Sequence, residues 1–271
     1  KTPFYAEMGG QVGDAGTLSD DSTLLKVSDT FRIKANVFGH AAHIAEGALK
    51  KGDTLTASVD TERRNAIARN HSVTHIMHKA LREVLGMHVA QKGSLVNAAI
   101  TRFDFSHDKP MTASEMAQVE EIVNKEILAN TETLCRELPI EEAKATGAMM
   151  LFGEKYGKTV RVMNIGTSCE LCGGTHVHRT GDIGLFKILG EAGISAGVRR
   201  IEAVTGFNAL TLAQKEAALL SGAASRFKAP AEELPEKIDQ AVGQIHALER
   251  DLARAKEKLA AHQVAGLVHQ V

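Results

Sequence analysis

Two short stretches carry most of the metal-binding chemistry this sequence offers: His71-Ser72-Val73-Thr74-His75 and Cys172-Gly173-Gly174-Thr175-His176. Each sets two good donors four positions apart. On a helix that spacing is one turn, so two imidazoles can chelate one ion. In the second stretch, the Gly-Gly pair lets the backbone fold so that thiolate and imidazole face one point. Three imidazoles and one thiolate make a full tetrahedral set for Zn²⁺. Either pair alone is weak, because an isolated H-x-x-x-H is more often two ordinary histidines. Two chelating pairs far apart in sequence are what a closed zinc site needs. The ligand choice stays open here: Cys169 and Cys172 also form a C-x-x-C, and His178 is a spare donor. Four protein ligands would make a structural-type ion. Three, with water as the fourth, would make a Lewis acid and a source of hydroxide. A zincin protease needs H-E-x-x-H, whose Glu activates water. Ser72 stands at that position, which disfavours peptide hydrolysis.

A helix opening at Asp60 or Thr61 and stopping at Gly86 must carry the first pair. Ile67, His71, Thr74, His78, Leu81 and Leu85 form one stripe at helical spacing, with His75 and Met77 beside it. Before it, residues 1 to 60 read as short strands, Thr23–Val27, Phe31–Phe38 and Thr54–Val59, behind a run with four glycines between Gly9 and Gly16. A small barrel-like β unit is expected there. The glycine run is not G-x-G-x-x-G, and plain turns are its safer reading. After the helix come strand-like Met87–Val96 and alternating Thr101–Ser106. A helix follows the capping-box pattern Thr112-Ala113-Ser114-Glu115, with Met116, Val119, Val123 and Ile127 as its core face. Strands are expected at Thr133–Leu138, Thr159–Met163, Ile183–Leu189 and Val198–Val204, a short helix at Ile140–Gly147, and a loop from Ser168 to Arg179. Without a βαβ rhythm, this favours an α+β fold: a two-layer α/β domain with a mainly antiparallel sheet.

The last segment is different. Leu234, Ile238, Ala241, Ile245, Leu248, Leu252, Ala255 and Leu259 are spaced 4, 3, 4, 3, 4, 3, 4, a heptad seam flanked by charges of both signs. A C-terminal coiled-coil helix is expected, made within the chain or by self-association. The domain reading is 1–60 for the β unit, 61–212 for the zinc-containing domain and 213–271 for the helical arm.

The bulk composition narrows the function classes. With 44% hydrophobic and 24% charged residues, the 271-residue chain is ordinary globular material, long enough for two or three folded units. Net charge is −1, so no global basic field recruits nucleic acid and RNA contact must come from local patches. Aromatics at 4% and no Trp argue against a base-stacking single-strand binder. Three cysteines are too few for a secreted disulfide framework, and a reducing cytoplasm is expected. No run of about 18 apolar residues suggests a membrane span. The opening at Lys1 without Met suggests a piece of a longer chain.

Several longer strings occur in a telling order. They are Phe4–Gly16 with its G-G-Q, His71–His75, His88-Val89-Ala90-Gln91-Lys92-Gly93-Ser94-Leu95, Glu170-Leu171-Cys172-Gly173-Gly174-Thr175-His176, Thr180-Gly181-Asp182-Ile183-Gly184 and Gly197-Val198-Arg199-Arg200-Ile201-Glu202-Ala203. From Lys1 to about Gly206 the chain resembles the editing region of bacterial alanyl-tRNA synthetases, with the heptad arm where that family links to a C-terminal domain. The resemblance implies hydrolysis of the ester of tRNA(Ala) mischarged with serine or glycine. It implies zinc donors at His71, His75, Cys172 and His176, with Cys169 a bystander and Gln91 the pocket glutamine that helps place the substrate. Gly9, Gly10, Gln11, Lys92, Arg199 and Arg200 are the expected substrate or tRNA contacts; solvated strand positions are an equal reading for the two arginines. ATP and Mg²⁺, and ligation of alanine, would belong to an adenylating domain absent from this chain. Two alternatives stay open: a free-standing trans-editing deacylase, and a non-catalytic zinc-stabilised module for tRNA binding or dimerisation.

Overall fold

The computed structural model describes residues 1–34, 37–150 and 157–268, with side chains through residue 262. The chain divides into two compact units, Lys1–Leu210 and Thr211–Val271. The first opens with strands β1 (Gly16–Ser19), β2 (Leu24–Lys34), β3 (Val37–Glu46) and β4 (Thr56–Val59). They form an antiparallel sheet in the order β3-β2-β1-β4, with no closed barrel among the described residues. β2 continues past Val27, where the sequence suggests a stop, by bulging between Val27 and Asp29. Asp29 Oδ1 accepts from the Thr30 amide, and the buried Thr30 hydroxyl donates to the Asp14 carbonyl. Ala35 and Asn36 of the expected Phe31–Phe38 strand lie outside the described residues, as do residues 269–271 of the expected arm.

Helix α1 (Thr61–Leu85) is the axis of this unit. Asp60 caps it, accepting from the Arg63 amide at 2.9 Å, and it ends at Gly86. The apolar stripe understates its burial. From Ile67 to Leu81 every residue except Arg69 and Lys79 is buried, so α1 is covered on nearly all sides. Part of its cover comes from β5 (Gln91–Val96), β6 (Thr101–Ser106) and α2 (Ala113–Leu128), and the rest from the strands and turn that follow. The capping box on α2 forms as the sequence suggests, with Thr112 and Glu115 satisfying each other's amides. Val119, Val123 and Ile127 then meet Val73, Met77, Phe103 and Ile201 in the main core.

Next come β7 (Leu134–Pro139), α3 (Ile140–Ala145), β8 (Thr159–Ile165) and β9 (Ser168–Leu171), then a 3₁₀ turn at Thr180–Ile183, β10 (Phe186–Ser195) and β11 (Val198–Thr205). One antiparallel sheet runs β10-β11-β6-β5 and a smaller one β7-β8-β9. The start of the expected Ser168–Arg179 loop is thus a strand, and the strand expected from Ile183 begins at Phe186. Two features hid β9: its polar residues, and the inward aim of Glu170 and Ser168, both buried.

The glycine run is docked along β5. Val96 donates its amide to Gly10 and Val12 donates to Val96. A Cβ at Gly10 would come 2.6 Å from the Ser94 carbonyl oxygen, so only glycine permits this approach. Helix α4 (Gly206–Phe227) and the 35-residue α5 (Leu234–Val268) complete the chain. On α5 the seam residues Ile238, Ile245, Leu248, Leu252 and Leu259 are exposed. No helix among the described residues is long and apolar enough to cross a membrane.

Asp60→Ala removes the cap of the helix that carries both histidine donors. We expect about 1 kcal/mol of lost stability, read as a lower urea midpoint with an unchanged slope.

Candidate metal centre

His71 and His75 project from one side of α1 with their rings 5.4 Å apart and nearly parallel. The segment after β9 brings Cys172 and His176 against them. Cys172 Sγ lies 3.4 Å from His71 Nε2 and 3.3 Å from His176 Nε2. The donor atoms of all four residues fall within 4.8 Å of one another, so the group could hold a metal ion. Bond lengths of about 2.0–2.3 Å to zinc give tetrahedral donor separations of about 3.5 Å, close to the two observed here.

The test of fit is what holds the other face of each ring. His71 Nδ1 donates to Gln11 Oε1 at 2.6 Å, His75 Nδ1 to Glu170 Oε2 at 2.7 Å, and His176 Nδ1 to the Ser72 hydroxyl oxygen at 3.2 Å. Ser72 also accepts the Val177 amide at 3.0 Å. Each imidazole therefore turns Nε2 toward the common point, the arrangement by which metal-binding histidines are oriented. His75 Nε2 is buried with no hydrogen-bond partner among the described residues. An ion would satisfy it.

The loop is built to lie flat on α1. A Cβ on Gly174 would collide with the His71 ring, and the Gly174 amide donates to Cys172 Sγ at 3.4 Å. Arg161 Nη1 donates to the carbonyls of Gly173 and Gly174, each at 3.1 Å, and the Cys172 amide donates to Arg161 O. Gln11, fully buried, also accepts the Thr175 amide and donates to the Thr175 hydroxyl.

Charges favour a thiolate at Cys172 and a neutral His176, whereas His75 holds its proton until an ion displaces it. Burial pushes the Cys172 thiol up, but the neighbouring imidazoles outweigh it and hold it well below its ordinary value. Burial, with the charge at His71, pushes His176 down to about 3, leaving it neutral. Burial opposes a charge on His75, yet Glu170 and Cys172 raise it to about 10. Burial likewise opposes the Glu170 carboxylate, which His75 and His78 nevertheless hold down near 2.

Beside the four donors opens a cleft of about 610 Å³, solvent at its mouth included, lined among others by Tyr5, Gly9, Thr74, His78, Gln91 and Ser94. Gln91 and Gly9 thus stand near the donors, whereas Gln11 faces His71 rather than solvent. Lys92 is exposed on β5. Arg199 and Arg200 are each engaged bidentately, Arg199 with Glu191 and Arg200 with Asp104 at 2.7 and 2.9 Å. Cys169 packs against the small cluster of Ala143, Val160 and Val162, away from the donors. His178 is exposed beside a different cleft, with Asp182. Sequence reasoning gave no role to Glu170, Arg161 or His78. The one available signal was an acid set two positions before Cys172.

Residues 160–202 match the family model "Threonyl and Alanyl tRNA synthetase second additional domain", and residues 1–63 match "tRNA synthetases class II (A)". Alanine--tRNA ligase of Delftia acidovorans is 62% identical over 262 residues, 97% of this chain and 30% of the relative. That of Acidovorax sp. is 60% identical over 263 residues, with 97% and 30% covered. That of Methylobacillus flagellatus is 60% identical over 269 residues, with 99% and 31% covered. The chain spans about 30% of the length of these curated relatives.

Two substitutions probe the supports of the donors. Glu170→Gln, which removes the carboxylate behind His75, is expected to weaken metal binding about 10- to 100-fold. Gly174→Ala, which forces His71 aside, is expected to do at least as much. Competition with a chromophoric chelator checks both, and parental affinity in either variant would contradict this account of the site.

Proposed function

The chain is related over 97% of its length to alanine--tRNA ligases, and we propose that it is their editing region, hydrolysing the ester that links serine or glycine to tRNA(Ala). The observation that carries this reading is the convergence of three Nε2 atoms and one thiolate at the wall of a cleft that Gln91 also lines. Zinc bound to His71, His75, Cys172 and His176 would supply a fixed positive charge beside the ester oxygens. Gln91 and Ser94 offer amide and hydroxyl groups to orient the aminoacyl end and a water. Water adds to the ester carbonyl carbon, the bond to the ribose oxygen breaks, and that oxygen takes a proton. The products are free amino acid and intact tRNA. Serine is favoured over alanine if its hydroxyl meets a buried polar partner that alanine leaves unfilled.

The acceptor end of tRNA(Ala) is the proposed partner; Gly9 lines the cleft with Gln91, and Gly10 and Lys92 are proposed to meet the incoming end. Arg199 and Arg200 would engage phosphate only by exchanging their carboxylate partners. Attachment of alanine with ATP and Mg²⁺ is assigned to the remainder of a longer polypeptide, working in the cytoplasm. The exposed heptad seam of α5 supports self-association.

The test is deacylation of Ser-, Gly- and Ala-tRNA(Ala) by the whole chain. We expect release of serine and glycine, with alanine spared roughly 100-fold, and loss of turnover in Cys172→Ala and Gln91→Ala. Binding of tRNA without hydrolysis above buffer would leave a non-catalytic zinc-stabilised module instead.

A further inference from the structure

Among the described residues, two buried imidazole nitrogens lack a hydrogen-bond partner: His75 Nε2 and His78 Nε2. The metal point accounts for the first. Nothing in the donor set accounts for the second, because His78 is outside the four-residue group. His78 sits three residues beyond His75 on α1, 3% exposed, and lines the same cleft as Gln91 and Ser94. A buried polar atom left unpaired costs about 1–3 kcal/mol, so a helix that keeps one at a cleft wall points to a ligand that completes it.

The ring's orientation says what that ligand must bring. His78 Nδ1 lies 3.1 Å from Glu170 Oε1. The same carboxylate takes His75 Nδ1 at 2.7 Å and the Ser168 hydroxyl at 3.3 Å. Glu170 is an acceptor toward three donors, so His78 carries its proton on Nδ1 and, in the neutral ring, presents a lone pair at Nε2. The ring also leans on Phe103, with centroids 5.0 Å apart. Rotation is restrained on both sides, and the free nitrogen is held in place before any ligand arrives.

We propose that His78 is a substrate-binding residue of this cleft, its Nε2 accepting a hydrogen bond from the aminoacyl group. The inference rests on the editing reading for the identity of the ligand. Two groups of that ligand carry the required donor: the α-ammonium, common to every aminoacyl ester, and the side-chain hydroxyl of serine. Glu170 thereby serves two rings through one carboxylate, aiming His75 Nε2 at the metal point and His78 Nε2 at the substrate.

Two variants of the whole 271-residue chain separate the ends of the ring. His78→Asn keeps an N–H where Nδ1 stands and deletes the far nitrogen. His78→Gln places an amide near Nε2 and gives up the Glu170 bond. The probes are 3′-seryl- and 3′-glycyl-amino-3′-deoxyadenosine, amide-linked and not hydrolysed, titrated calorimetrically into zinc-loaded protein. Zinc content and melting temperature are recorded for each variant.

The expected result is that His78→Asn keeps its zinc and its melting temperature but binds the seryl probe about tenfold more weakly or worse, while His78→Gln recovers part of the loss. Equal weakening toward the glycyl probe identifies the α-ammonium as donor, and an effect confined to the seryl probe identifies the hydroxyl. Parental affinity of His78→Asn for both probes overturns the proposal, as does failure of the parental chain to bind either. Loss of zinc or of the folded state in both variants assigns His78 to holding Glu170 alone, and also overturns it. A parental chain that binds the probes yet leaves Ser-tRNA(Ala) intact defeats the editing reading, with the His78 effect still measurable.

Discussion

An imidazole offers a lone pair only from the nitrogen that does not carry its proton. Three histidines can therefore converge through Nε2 only where three acceptors hold three Nδ1–H groups. Here the acceptors are Gln11, Glu170 and Ser72. They come from three places in the chain: the glycine run ahead of the first sheet, a strand of the smallest sheet, and the histidine helix itself. Much of the architecture of the first unit follows from bringing them together. The glycine run must press along β5, which requires Gly10 to meet Ser94 without a side chain. The Cys172–His176 segment must lie flush on the helix, which requires Gly174 and the grip of Arg161 on two carbonyls.

Glu170 is the most exposed of these supports to physical risk, because it is a charge in the interior. A lone buried carboxylate is costly, and breaking a buried pair is strongly destabilising because the remaining charge has no partner. Two imidazole N–H groups and one hydroxyl surround it, which offsets the loss of water. The compensation is local and cooperative: remove one ring, and the carboxylate loses a donor as well as a neighbour. That coupling ties donor geometry on one side of Glu170 to the cleft wall on the other.

How much of this can be read from the sequence depends on whether a feature is local. Helical spacing of His71 and His75, the Asp60 and Thr112 caps, and the donor spacing around Gly173 and Gly174 are all properties of a few consecutive residues. So is the long C-terminal helix. What could not be read depends on which residues lie opposite one another across a sheet. Arg200 looks like a free cation until the pairing of β11 with β6 sets it against Asp104. Ser168-Cys169-Glu170 reads as a polar loop because propensity assumes that a carboxylate faces water. Tertiary pairing with two histidines reverses that preference. Gln11 is similar: in a glycine-rich run it suggests an exposed ligand contact, and only the docking of that run turns it inward to His71.

Position 72 shows the same logic from the opposite side. In sequence it is merely the place where a zincin would have Glu. In the fold it is fully buried, its hydroxyl taking both the His176 ring and the Val177 amide. A carboxylate two carbons longer would have to be packed, charged, into that slot, and it would displace the group that aims His176. Protease-type activation of water by a carboxylate at this position is thus disfavoured by packing as well as by composition. Glu170, the buried acid that lines the cleft, already receives three donors. On the editing reading, a group that handles the proton of an attacking water would therefore belong to the open wall of the cleft, outside the donor set.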